Sequence, residues 1–266
     1  MIKLIATDVD GTLVEESSPD ITPAQIELFR ELSDAGYRVT VASGRQYKSV
    51  STMFAPVGRE LCYIVENGAH ILIGDKTIHH VRMKREYVEG IMADLRALYP
   101  EGCHVVASTT VGCFLETKDE AFISRIRDRY RNHVLLTDDI LGEDVEYVKL
   151  AVFREGSIRQ IGEQNLIPKW KDKVKATMAG EEWVDFMDAT VDKGRGLKIL
   201  AEKLGIGTAE VMAFGDNEND IGLMQAAGES YAVGNAVDKV KAAAGHVCGP
   251  YWEDGVSQVL RTLLQS

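Results

Sequence analysis

The chain has 266 residues, 45% of them hydrophobic and 27% charged, with a formal net charge of −11, so it is long enough for one large or two moderate domains with proper cores. The acidic balance argues against nonspecific binding to nucleic acid or to an anionic membrane, because both need a basic surface. No apolar run reaches the roughly 18 residues of a membrane span, and no basic segment leads into a long apolar one at the N-terminus, so a cytoplasmic protein is expected.

The first element is a short strand around Ile2, Leu4, Ile5 and Ala6, a branched apolar run ended by a glycine turn. It leads directly into two carboxylates, Asp8 and Asp10, which then sit past the carboxyl end of the strand. In open α/β sheets that edge is where ligands bind. Two aspartates spaced i and i+2, with a backbone carbonyl, can gather several oxygens around a hard divalent ion such as magnesium. Taken alone, Asp10-Gly11 is equally a chain-reversing turn.

Thr22 as N-cap, Pro23 at the first helical position and Gln25 three residues after the cap form a capping box. Ile26, Phe29 and Leu32 continue at helical spacing, and Gly36 is the expected stop. A second strand, RVTVA at 38–42, ends in Ser43, Gly44 and Arg45. A third, CYIVE at 62–66, meets Asn67-Gly68, and the following AHILIGDKTIHH alternates around a turn expected at Asp75-Lys76. His79 and His80 are adjacent on a strand, point to opposite faces and read as surface residues, not as a metal pair.

From residue 84 to 99 a helical apolar stripe runs through Val88, Ile91, Met92, Leu95 and Leu98. Strands are expected at 103–107, 112–116, 146–153, 174–178 and 183–187, with helical segments between some of them. The regular strand-helix alternation returns with LKILAEKLG, capped by Gly205, then the strand VMAF, a helix over about 220–227, the strand SYAVG and a last helix from Gly255. The reading is an α/β fold: a Rossmann-like parallel-sheet core from 1–82 and 189–266, interrupted by an α+β insert at 83–188. The four cysteines, Cys62, Cys103, Cys113 and Cys248, show no paired spacing and read as reduced thiols.

Near the other end AFGDNENDIGL again places carboxylates directly after an apolar strand. If both strands are central and parallel, Asp8, Asp10 and Asp216 meet at one sheet edge. Like charges about 4 Å apart cost on the order of 4 kcal/mol per pair at an effective dielectric of 20, so such a cluster calls for a cation. Ser43-Gly44 adds a third strand end with a hydroxyl and backbone amides suited to an anion. Lys193, in DKGRGL, places a positive charge at a helix start.

These motifs resemble those of the haloacid dehalogenase superfamily, in particular its Cof-like phosphatases with a type IIB cap. DVDGT at 8–12, SGR at 43–45, Lys193 and GDNEND at 215–220 stand in that family's order, and ENGA at 66–69 and AVGNA at 232–236 match accessory features. The resemblance implies a magnesium-dependent phosphatase acting on a small phosphorylated metabolite such as a sugar phosphate. By the same resemblance Asp8 is the nucleophile and Asp10 the general acid and base. Asp8, Asp216 and the backbone carbonyl of Asp10 hold magnesium, and Ser43, Gly44, Lys193 and Asn219 hold the phosphoryl oxygens. Thr12, Arg45 and Asp220 support these groups.

A phosphosugar mutase of the same superfamily shares the core motifs, its choice of acceptor lying in the cap. Receiver-type signalling modules also combine aspartates, magnesium and a lysine, but they are shorter, have no inserted cap and need no acid/base two residues after the nucleophile. A dinucleotide-binding dehydrogenase is disfavoured, since the first strand leads to DVDGT and not to GxGxxG. One departure is CGPYWE before Asp254-Gly255: Tyr251 and Trp252 either pack on the core or narrow the site entrance.

Overall fold

Strand β1 (Leu4–Thr7) is buried along its whole length, as expected of a strand covered on both faces inside a parallel sheet. The computed structural model describes residues 1–16 and 18–265. In chain order the remaining strands are β2 (Arg38–Ala42), β3 (Cys62–Val65), β4 (His70–Ile73), β5 (Lys76–His80), β6 (Cys103–Thr109), β7 (Cys113–Leu115), β8 (Val134–Leu136), β9 (Tyr147–Arg154), β10 (Val174–Ala179), β11 (Trp183–Asp188), β12 (Val211–Gly215), β13 (Glu229–Ala232) and β14 (His246–Val247).

They form two sheets: eight strands in the order β14-β13-β12-β1-β2-β3-β4-β5, and six in the order β10-β11-β9-β6-β7-β8. The first is parallel from β14 through β3 and turns antiparallel at β4. The second is antiparallel except where β7 pairs with β8. The chain divides into two compact units, one made of Met1–His79 with the chain from Asp192 onward, the other of His80–Val191. The fold is α/β, with its parallel sheet assembled from both ends of the sequence.

Local chemistry explains most element boundaries. Helix Pro23–Asp34 starts with the complete Thr22/Gln25 capping box, and helix Lys193–Leu204 ends on Gly205 at φ 68, a left-handed cap that glycine takes without strain. The hairpin between β4 and β5 turns at Gly74-Asp75, one residue earlier than expected, because Gly74 supplies the positive φ of +59. Helix Tyr47–Phe54 is absent from the sequence reading: its N-cap Gln46 makes no side-chain cap bond, so the usual start signal is missing. Strands β8 and β14, three and two residues long, are too short to show alternation.

His79 and His80 are half-buried. The Nε2 of His79 is buried without a described hydrogen-bond partner, and His80 Nε2 lies 2.7 Å from Glu146 Oε2. The four cysteines are free thiols, three of them buried. No helix among the described residues is long and apolar enough to cross a membrane.

In the inserted unit, helix Arg85–Arg96 packs Val88, Ile91, Met92 and Leu95 into an apolar cluster with residues of β6, β9 and β11. Beside it Glu116, its side chain 6% exposed, accepts from Arg96 Nε at 2.7 Å, Arg96 Nη2 at 2.6 Å, Tyr99 OH at 2.6 Å and the Ile140 N–H at 2.9 Å. Burial pushes the Glu116 carboxyl upward, but these donors together hold it below the ordinary glutamate value. A depressed carboxyl stabilises the fold above its unfolded pKa, and that stabilisation fades as pH falls through the folded one. Glu116→Gln should therefore cost about 2 kcal/mol at pH 7, with the gap to the parent closing below about pH 4. Denaturation curves across pH test this, and a gap that stays constant from pH 7 to pH 3 would refute it.

Candidate active site

The sheet order fixes where the first acids lie. β1 sits between β12 and β2, with Thr7 in register with Phe214. Asp8 continues the ladder by donating its N–H to the Phe214 carbonyl at 3.0 Å. Asp8 and Asp216 thus leave adjacent parallel strands at the same edge, and Ser43 leaves β2 beside them, its N–H donating to Ile64 O at 2.8 Å.

Asp10-Gly11 is a turn, and also more than one. Gly11 has φ +77, and a Cβ there would come within 2.4 Å of Asp216 Oδ2. Glycine at this position lets the β1 loop close onto the second acid, and Thr12 Oγ1 completes the contact by donating to Asp216 Oδ1 at 2.9 Å. Asp10-Gly11 is therefore a turn that also brings the β1 loop against Asp216.

Lys193 is the first residue of helix Lys193–Leu204, as the sequence suggested, but its side chain is not a solvated terminal charge. It is 1% exposed and donates to Asp8 Oδ1 at 2.6 Å and Asp220 Oδ1 at 2.7 Å. Asp220 is fully buried, and its Oδ2 accepts the N–H groups of Asp216 at 3.0 Å and Asn217 at 3.2 Å. One buried lysine thus joins the end of β1 to the turn after β12.

Asp8, Asp216 and Asp220 each bring a carboxylate oxygen within 4.8 Å of the others. Burial, then the charge of Asp220, push the Asp8 carboxyl well above the ordinary range, against the opposing pull of Lys193. Burial and Asp220 likewise push Asp216 up to about 6, against the Thr12 hydrogen bond. Burial disfavours the Lys193 ammonium, yet Asp220 and Asp8 outweigh it and raise its pKa, so Lys193 remains a cation. One ammonium does not balance this much buried negative charge.

An all-oxygen donor set with excess negative charge fits a hard divalent cation. Both oxygens of Asp220 are already engaged, which suits it to orienting Lys193 and the Asp216 backbone. Asp8 gives one oxygen to Lys193 and Asp216 gives one to Thr12, so each has a second for a cation.

Asp10 stands outside that acid triad. Its half-buried carboxylate is clamped by Arg45, whose Nε donates to Oδ2 at 2.8 Å while Nη2 donates to Oδ1 and to the Ser18 carbonyl. Arg45 itself donates its N–H to Ser43 Oγ at 3.1 Å. Asn219 lies nearby in a different set of bonds, its Nδ2 donating to Asn67 Oδ1 at 2.9 Å.

Asn67 is a site residue that the sequence showed only as part of an accessory match. It has φ +58, follows Glu66 at φ +51, donates its N–H to Ser43 O at 3.1 Å, and places Oδ1 3.0 Å from where a Gly44 Cβ would be. Non-glycine residues at positive φ are uncommon, and two in succession here brace the SGR segment against Asn219. In the sequence Asn67-Gly68 marks only the end of the third strand; what it meets was not legible. Of the two aromatics before Asp254, Trp252 is 63% exposed, which excludes core packing for it, and its ring meets Tyr251 edge-on at 5.0 Å.

A parallel α/β sheet whose strand ends gather three carboxylates beside a buried lysine has a candidate site at the edge where such sheets bind ligands, with a donor set that fits a divalent cation. A family model of haloacid dehalogenase-like hydrolases matches residues 5–260. The chain belongs to that family and is an enzyme of the hydrolase class, as its four ordered motifs implied.

It is 25% identical over 264 residues to the 5-amino-6-(5-phospho-D-ribitylamino)uracil phosphatase YbjI of Escherichia coli, covering 99% of this chain and 97% of that protein. It is 26% identical over 289 residues to the pyridoxal phosphate phosphatase YbhA of the same organism, covering 97% of each. A crystal structure from Eubacterium rectale matches with a TM-score of 0.87 at 37% identity, over 98% of this chain and 99% of that one.

Proposed function

We propose that this protein is a magnesium-dependent phosphatase of small organic phosphate monoesters, working through an aspartyl phosphate on Asp8. The observation that carries the reading is the buried Asp8–Lys193–Asp220 bridge with Asp216 beside it, at the ends of two adjacent parallel strands. The side chains of Asp8 and Asp216 and the backbone carbonyl of Asp10 would hold magnesium. Bound there, the ion supplies positive charge against which carboxylates and a phosphoryl group can approach one another.

In the first step an Asp8 oxygen bonds to phosphorus and the ester oxygen leaves with a proton from Asp10. In the second, Asp10 takes a proton from water, the water oxygen bonds to phosphorus, and Asp8 is released as a carboxylate along with inorganic phosphate. Ser43, Gly44, Lys193 and Asn219 hold the phosphoryl oxygens, which is most of what phosphoryl transfer asks of a protein. The Arg45 clamp bonds both oxygens of Asp10 and so fixes the direction in which its carboxyl faces. Every residue assigned to phosphate lies in the sheet-order β14 to β5 unit. Discrimination among leaving groups therefore falls to the inserted segment, 83–188 in the sequence reading.

The named relatives act on phosphate esters of small metabolites, which sets the panel to try: sugar phosphates, nucleotides and cofactor phosphates, with an aryl phosphate as generic probe. Exhaustive chelation should lower phosphate release from the aryl phosphate by about 100-fold or more, and added magnesium should restore it. Undiminished release after chelation would remove the metal from the reaction.

A further inference from the structure

The loop from Val9 to Val14, which carries Asp10 and follows Asp8, closes partly on itself: the N–H groups of Leu13 and Val14 both reach Val9 O, and Gly11 N–H reaches Val14 O. Two of its carbonyls are bonded by side chains from elsewhere. Gly11 O accepts from Asn235 Nδ2 at 2.7 Å, and Leu13 O accepts from Gln25 Nε2 at 2.9 Å. Both donors are primary amides, and each amide continues to the same short segment at the other end of the chain. Asn235 Oδ1 accepts the Tyr251 N–H at 3.1 Å, and Gln25 Nε2 also donates to Asp254 Oδ1 at 3.2 Å.

That segment is itself tightly held. Asp254 sits at φ +60, a conformation that costs energy for a residue with a Cβ, and its Oδ1 accepts a further bond from Ser257 Oγ at 3.2 Å. A Cβ at Gly255 would fall 1.9 Å from Gly249 O, so the 249–255 loop tolerates no widening there. Gln25 is 2% exposed and is already employed as the N3 residue of the capping box, its Oε1 accepting the Thr22 N–H at 2.9 Å. One side chain thus starts a helix with its oxygen and ties down the nucleophile loop with its nitrogen.

We infer that Gln25 and Asn235 are positioning residues, which set the Asp8/Asp10 loop against Asp216 by linking its outward carbonyls to the 250–255 segment. The inference rests on the phosphatase reading above. A primary amide suits the task because it donates at one end and accepts at the other within a fixed plane, whereas a carboxylate only accepts. Small displacements of reacting groups are expensive in rate: about 1 Å can cost on the order of 100-fold.

The test uses full-length Gln25→Glu and Asn235→Asp with an aryl phosphate and magnesium, beside the parent protein. Each variant keeps the shape and the accepting oxygen, so the capping box and the Tyr251 bond survive, but loses the donor to the loop carbonyl. The expected result is a kcat lower by about 10- to 100-fold with KM within about threefold of the parent.

Gln25→Glu also sets a new carboxylate against that of Asp254, so Gln25→Glu/Asp254→Asn is the control. Asparagine accepts the left-handed backbone at 254 and can donate to the introduced carboxylate. If Leu13 is the point of action, this pair recovers thermal stability while kcat stays low. Recovery of stability and kcat together, or single variants with kcat within twofold of the parent, would overturn the inference. A parent protein that releases no phosphate would instead overturn the phosphatase reading.

Discussion

Asp8→Asn should lower turnover of an aryl phosphate by about 10⁴-fold or more while leaving the fold intact. The amide is nearly isosteric with the carboxylate and its Oδ1 can still accept from Lys193, which also keeps its bond to Asp220 Oδ1 at 2.7 Å. What it lacks is the anionic oxygen that bonds to phosphorus.

Stability should move the other way in chelator. Burial and the charges of Asp220, Asp216 and Asp10 hold the Asp8 carboxyl well above its ordinary value, so at neutral pH the ionised form is a burden on the folded state. A carboxyl raised in the native state contributes stability that is present at low pH and lost as pH rises through its folded pKa. The variant should thus match the parent near pH 3 and melt at an equal or higher temperature near pH 7. Rates within tenfold of the parent would take the nucleophile role away from Asp8. A variant that melts far lower at pH 7 would show that the Lys193 bridge needs both charges.

Asp10→Asn should show a loss that depends on the leaving group. The asparagine still presents the backbone carbonyl to a cation, yet it has no proton to give to a departing oxygen. General acid/base catalysis is worth about 10²- to 10⁴-fold. For an alkyl phosphate, whose alkoxide leaves poorly, the whole of that factor should be lost. For an aryl phosphate, whose phenolate leaves readily, the first step should suffer less.

In the proposed mechanism Asp10 also activates water, so aspartyl phosphate should then accumulate with the aryl substrate and be detectable by acid trapping. Equal losses for both substrates, with nothing trapped, would leave Asp10 as a turn residue held by Arg45. Arg45→Lys adds a check on the clamp: a lysine cannot reproduce the two-pronged contact with Asp10 Oδ1 and Oδ2, so Asp10 in that variant is less tightly held.

Much of the architecture is carried by interactions between near neighbours, and those were legible. The Thr22/Gln25 box, the Gly205 cap and the β2 run RVTVA each follow from bonds or burial patterns spanning a few residues. The acids at 8, 10, 216 and 220 were visible because two apolar strands end in them. Helix Tyr47–Phe54 was not visible, because its start lacks a capping side chain. The turn at Gly74 was misplaced by one residue, since only the backbone angle distinguishes it from its neighbour.

The partners of these residues are another matter. Lys193 reads as a cation at a helix start, but only α/β packing buries it between Asp8, 185 positions away, and Asp220. Arg45 meets Asp10, Asn67 meets Asn219, and Asn235 and Gln25 reach the Val9–Val14 loop and the 250–255 segment across up to 229 positions. Hydrophobic periodicity specifies which face of a strand is buried, not which strand lies beside it. The order β13-β12-β1-β2-β3 brings these ends together, and it is decided by how all the helices and strands pack at once. The residue types proposed for the site are therefore written in short motifs, while their mutual bonds, and the burial that shifts Asp8, Asp216 and Lys193, exist only once that packing is complete.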